Sequence, residues 1–165
     1  MRKLDVLRRA AIVAAALGVL CARAAAEEPF DACEVFTQAD AEKALGTTAE
    51  VYEPPHPKNW KRPKVVSTCT YTAFKEGKRV SASVQFRFGK TDEDARGAFE
   101  DARLKLQTKP LLIAPGTSAF WNSRTGQLDM RKARTWVSLT IGSDKSAERD
   151  MDQARKLAEA LATKI

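Results

Sequence analysis

The chain has 165 residues and a formal net charge of +7 at pH 7, a length that suits one domain built around one core. Residues 1–26 hold five of the 28 basic side chains and one of the 21 acidic ones, which leaves 23 against 20 in the remainder. A remainder so nearly balanced gives net charge no weight as evidence for nucleic-acid binding, and any partner has to be argued from local features.

The first segment has the pattern of an export signal: basic residues Arg2, Lys3, Arg8 and Arg9, the apolar run "AAIVAAALGVL" from Ala10 to Leu20, and small residues up to Ala26. Cleavage after Ala26 is expected, leaving 27–165 as a single secreted or periplasmic domain. The apolar run is about half the length of a bilayer-spanning helix, so the mature chain is expected to contain no transmembrane segment. Lipid anchoring through Cys21 is disfavoured, because Leu20 stands where such sites want a small residue. Removal of the leader leaves two cysteines, Cys33 and Cys69, which an oxidising compartment is expected to join.

Next in the chain, "TQADAEKALG" carries a helix start in Thr37 with Asp40 three residues on and a stop in Gly46, with Phe36 placed to staple the entry. The stretch "YEPPHPKNWKRPK", Tyr52 to Lys64, is unlike fold-building sequence. Lys58, Lys61, Arg62 and Lys64 surround Trp60, a composition suited to an acidic protein or an anionic envelope component. The same composition also describes a solvated loop stiffened by prolines, with Trp60 folded back onto the domain.

Ser67 to Phe74 reads as a strand, "KEGK" as a turn, and "VSASVQFRFG" as a second strand in which Val80, Ala82, Val84, Phe86 and Phe88 alternate with polar residues. Thr91 caps a helix with Ala95, Phe99, Ala102 and Leu106 along one side; its acidic first turn, Asp92 to Asp94, is explained by the helix dipole without a metal. Lys109 to Gly116 reads as a connector. "TSAFWN", "QLDMRK" and "TWVSLTIG" follow as strands, the first two joined through "SRTG" with Gly126 available for a positive backbone angle. Trp136 falls on the face opposite Val137, Leu139 and Ile141, so a helix or loop is expected to cover it. A last helix begins in "SAERDMDQ", with Ala147, Met151, Ala154, Ala158, Leu161 and Ile165 as its stripe. The expected fold is therefore α+β: an antiparallel sheet of five to six strands with three helices packed on it and one disulfide.

Chemistry is thinly represented. His56, the only histidine, stands between Pro55 and Pro57, a poor place to hold catalytic geometry. Ligand signatures for zinc, calcium and phosphate loops are missing, and no carboxylate pair is singled out. The expectation is a non-catalytic binding or accessory module with no metal and no cofactor. The alternatives are a carrier holding a small apolar ligand in a cleft between sheet and helix, with Trp121 and Trp136 as wall residues, and, third, a small envelope hydrolase.

The segment "DACEVFTQADAEKALG", the later "CTY" and the step "GTSAFW" resemble a group of secreted bacterial domains and lipoproteins. That group shares an Asp-x-Cys, Leu-Thr and Ala-Leu-Gly opening, a later Cys-x-Tyr or Cys-x-Trp, and a Gly-Asp-x-Ala step. The resemblance implies an α/β sandwich similar to the PsbP-like fold, mostly of unknown function and without a catalytic set to carry over. This chain departs from the group in having "GTSAF" at the last step and in lacking a clear lipid-anchor cysteine.

Overall fold

The structure is a computed structural model that describes residues 30–52 and 66–165. The Asp31 carboxylate accepts from the backbone N–H of Cys33 at 2.9 Å and opens a single helical turn, α1 (Ala32–Val35). Thr37 then starts α2 (Gln38–Leu45) through a complete capping box. Asp40 N–H donates to Thr37 Oγ1, and Thr37 N–H donates back to Asp40 Oδ2 at 2.9 Å. Gly46, at φ 70°, closes the helix in the left-handed conformation.

The strands are β1 (Glu50–Val51), β2 (Val66–Lys75) and β3 (Lys78–Phe88), followed after a helix by β4 (Pro110–Leu111), β5 (Thr117–Asn122), β6 (Gln127–Lys132) and β7 (Thr135–Gly142). They form one antiparallel sheet in the order β1-β2-β3-β7-β6-β5-β4. Glu76 and Gly77, both at positive φ, make the two-residue turn between β2 and β3, a geometry that matches the right-handed twist of the strands it joins. The other helices are α3 (Asp92–Lys105), capped by Thr91, and α4 (Met151–Ala162), capped by Asp150.

The α+β class, the antiparallel sheet and the Cys33–Cys69 bridge agree with the sequence reading, while the counts need correction. Seven strands are present against the five to six expected, and four α-helices against three. The additions are β1 and β4, of two residues each, and α1, of four; elements so short carry no legible periodicity. Pro110 sits in the edge strand β4, the place in a sheet where a missing N–H costs least. The last helix also starts later than expected. Residues Ser146–Glu148 form a 3-10 turn, and Gly142 bridges Arg149, so the chain doubles back across the end of β7 before α4 begins. Ala147 is consequently exposed and Met151 largely so, while Ala154, Leu157, Ala158 and Leu161 make the buried stripe. Gly126 adopts φ 61° as anticipated, and Ser146 O lies only 2.5 Å from where a side chain would begin, so this turn packs directly against the 3-10 segment.

Parity divides the sheet into two unlike faces. Cys69, Tyr71, Ala82, Val84, Phe86, Val137, Leu139, Leu128 and Met130 point one way, into a core shared with α1, α2 and α4. On the opposite face α3 packs over β6 and β7, where Phe99 meets Phe120 at 4.9 Å and Trp136 at 5.4 Å between ring centroids. α3 thus supplies the cover expected for Trp136. Lys132 donates to the carbonyls of Ala162 and Ile165, and this cation at the C-terminal end of α4 complements the helix dipole.

The C-terminus is tied to the N-terminal helices by Lys164, which meets Asp40 Oδ2 at 2.6 Å and Val35 O at 3.1 Å. Burial pushes the Asp40 carboxyl up, but hydrogen bonds from Lys164 and Thr37 outweigh it and hold it below its ordinary value. A carboxyl lowered by folding stabilises the native state above its unfolded pKa, and that contribution disappears as the pH falls through the lower native value. Stability to urea should therefore decline below about pH 4, and Asp40→Asn should flatten that part of the profile. An identical decline in the variant would remove Asp40 as its source.

Candidate functional site

The half of the second face formed by β1, β2 and β3 has no helix over it among the described residues. Its side chains are Glu50 on β1, Val66, Thr68, Thr70, Thr72 and Phe74 on β2 and Arg79, Ser81, Ser83, Gln85 and Arg87 on β3, and none of the eleven is buried. The reverse sides of the same strands hold the fully buried Ala82, Val84 and Phe86. The open half-face is bound together by its own side chains. Thr70 and Ser83 hydroxyls lie 2.8 Å apart, Gln85 donates to Thr68 at 3.2 Å, and Arg87 donates twice to Gln85.

At one end of this surface the doubled-back segment after β7 raises a wall, and a depression of about 560 Å³ forms between Tyr52, Thr72, Arg79 and Ser81 on the sheet and Lys145 and Glu148 on the wall. Its rim carries Lys78, Arg79 and Lys145 together with Asp144 and Glu148. The Arg79 guanidinium lies 4.4 Å from the centroid of the Tyr52 ring, and the Lys78 charge acts on the Glu148 carboxylate. Lys145 meets Glu148 at 3.4 Å, and hydrogen bonds from Ser143 and Lys145 hold the Glu148 carboxyl below its ordinary value. Arg149 is committed to structure: it donates to Thr125 O at 2.6 Å and Ser143 O at 3.3 Å, which fixes the wall to the β5–β6 turn. The arrangement can hold anionic groups and hydroxyls; it offers no paired acid and base around a common point.

A second groove, of about 530 Å³, runs between α3 and the sheet, with Trp136, Ala95 and Ala98 as apolar lining and Arg87 and Lys90 at its mouth. The Trp136 indole is fixed from below. Its Nε1 donates to Asp129 at 2.8 Å, and the same buried carboxylate accepts from Ser138 Oγ at 2.5 Å and Gln127 Nε2 at 3.0 Å. No three His, Cys, Asp or Glu side chains converge as a metal site among the described residues, and no helix there is long and apolar enough to cross a membrane.

The sequence-derived site residues fare differently. Cys33 and Cys69 are joined, pinning α1 to the middle of β2. Lys58, Trp60, Lys61, Arg62 and Lys64 lie outside the described residues. Trp121 and Trp136 cannot line one cleft. Trp121 pairs with Leu128 and packs against the main core, whereas Trp136 belongs to the α3 face, so the sheet separates them. Residues that sequence reasoning passed over are Lys78, Arg79 and Lys145; strand pairing brings the first two toward Tyr52, which opens the stretch singled out from the sequence, and the return of the chain after Gly142 adds Lys145. One signal was available in Phe74: it is out of phase with Cys69, Tyr71 and Ala73 and so belongs with the polar positions.

Searches for relatives return nothing to set beside this geometry: no protein-family model, no curated protein and no solved structure matches the chain.

Proposed function

We propose that the chain is an exported, non-catalytic binding module that holds an anionic component of the cell envelope on the open half-face of β1, β2 and β3. The observation that carries this reading is the contrast between the two sides of β2 and β3: one is sealed in the core, while the other stays wet and is rimmed by Lys78, Arg79 and Lys145. A surface of hydroxyls and cations on a rigid sheet suits recognition of anionic, hydrogen-bonding ligands. Export is supported by the leader pattern and by the Cys33–Cys69 bridge, which belongs to oxidising compartments. The resemblance to secreted bacterial domains agrees with it.

The test is co-sedimentation of the exported protein with protein-free envelope preparations. Wild-type protein should sediment in a salt-sensitive manner, and the Lys78→Gln/Arg79→Gln/Lys145→Gln variant should lose about ten-fold in affinity, since three solvent-exposed cations each contribute up to about 0.5–1 kcal/mol. Equal retention of a folded variant would overturn the assignment of this face.

The Trp136 groove favours a second reading, a carrier of a small apolar ligand, with Trp136 and not Trp121 in its wall. A co-purifying small mass in native mass spectrometry, lost on Trp136→Ala, would favour the carrier over the envelope-binding module.

A further inference from the structure

We infer that the occupant of the open half-face is an acidic glycan, a chain of sugar rings bearing carboxylates. This rests on the reading of that face as a binding surface and names the chemistry it recognises.

The position of the ligand on the sheet decides which groups can bond it. β2 and β3 are paired on both sides over the centre of this surface, β2 with β1 and β3 with β7, so their main-chain groups are used within the sheet. Over that centre, bonds to a ligand come from side chains. Those present are hydroxyls, an amide and guanidinium groups, the set that bonds polyols and carboxylates, with the single carboxylate of Glu50 beside Thr72 as an acceptor for sugar hydroxyls. A hydroxyl has one donor and two acceptor lone pairs, so the 2.8 Å contact between Thr70 and Ser83 leaves both oxygens able to accept from a sugar hydroxyl.

Phe74 is 75% exposed on a face whose other apolar strand residue is Val66, and it stands directly across from Arg79. Tyr52, 54% exposed, lies beside Thr70, to whose carbonyl its N–H donates at 2.9 Å. Thr70 and Phe74 are four residues apart on β2, so the two aromatic positions stand about 14 Å apart along the strand, with Thr72 and Glu50 between them and the Arg79 guanidinium reaching back over the Tyr52 ring. Flat apolar plates separated by hydrogen-bonding groups match the alternation of C–H faces and hydroxyl edges along a glycan, and the spacing exceeds one ring.

The Tyr52 ring supports one face of the Arg79 guanidinium and leaves its in-plane N–H groups available for a two-point bond to a carboxylate. Lys78 and Lys145 stand nearby. Asp144 and Glu148 are on the same wall, so the surface selects discrete acidic groups among neutral ones and would not favour a dense polyanion.

The experiment measures affinity by calorimetry for four probes: oligogalacturonate, its methyl ester, solubilised cell-wall glycan strands, and polyacrylate, which has carboxylates without rings. At least one of the two acidic glycans should bind tighter than both the ester and polyacrylate, and which one does so identifies the source. Phe74→Ala should weaken that glycan about five-fold, within the range of a single lost aromatic contact, without affecting polyacrylate. Lys78→Gln/Arg79→Gln should weaken both. If polyacrylate binds as well as the glycans, or Phe74→Ala changes nothing, the glycan assignment fails while the anionic-face reading stands. If no acidic probe binds and envelope sedimentation is also insensitive to the charge variant, both fail.

Discussion

Reduction of the Cys33–Cys69 bridge should lower the unfolding free energy by about 4 kcal/mol, because the cross-link closes a 36-residue loop and withdraws that freedom from the unfolded chain. The effect should be large relative to the total, since domains of this size are stable by only about 5–15 kcal/mol. Local structure points the same way. α1 is one turn, too short to persist unaided, and besides the disulfide its long-range polar anchors are the bond from Ala32 N–H to the buried Ser67 hydroxyl at 3.0 Å and that from Lys164 to Val35 O at 3.1 Å. Beneath it Phe36 packs edge-on against Tyr71 at 5.3 Å, and burial raises the Tyr71 hydroxyl pKa. Denaturation of the same protein with and without reductant isolates the bridge without leaving a cavity. A shift below about 1 kcal/mol would mean that the N-terminal helices are held by packing alone.

Asp129→Ala should cost about 2–4 kcal/mol, because it orphans three donors at once. The carboxylate is 2% exposed, and no cation is hydrogen-bonded to it among the described residues; the Trp136 indole, the Ser138 hydroxyl and the Gln127 amide are its partners. Asp129→Asn should cost less than half as much, since an amide oxygen still accepts from Trp136 and Ser138 and only Gln127 must turn. Urea denaturation gives the energies, and near-ultraviolet circular dichroism reports the orientation of Trp136. If alanine and asparagine are equally mild, the carboxylate is not what fixes the indole.

Much of this fold was legible because its long elements obey a single period each. Val80 to Phe88 alternates cleanly and is a strand; Thr37, Asp40 and Gly46 announce both ends of α2 by capping chemistry that is local in sequence. The short elements were not legible for a physical reason. β1 and β4 exist because β2 and β5 offer them an edge, and the 3-10 turn exists because Gly142 accepts Arg149 as a neighbour, so all three are consequences of tertiary contact. The candidate site divides in the same way. Ser81, Ser83, Gln85 and Arg87 could be read as water-facing from parity alone. Their meeting with Tyr52, Lys78 and Lys145 could not, because residues 52, 78 and 145 are joined only by the strand order. Trp121 and Trp136 show the converse error: two tryptophans alike in composition were assigned one wall, and register put the sheet between them.

The order β1-β2-β3-β7-β6-β5-β4 has a consequence for how the chain is made. One hairpin from early in the chain and one meander from late in it meet at a single seam, β3 against β7, whose partners run from Phe88 with Thr135 to Ser81 with Gly142. A chain delivered vectorially from its N-terminus holds the eight-residue flank Ser81–Phe88 of β3 open until Gly142 has emerged. During that interval the flank is an unpaired strand edge, the kind of surface on which a nascent chain associates with its neighbours.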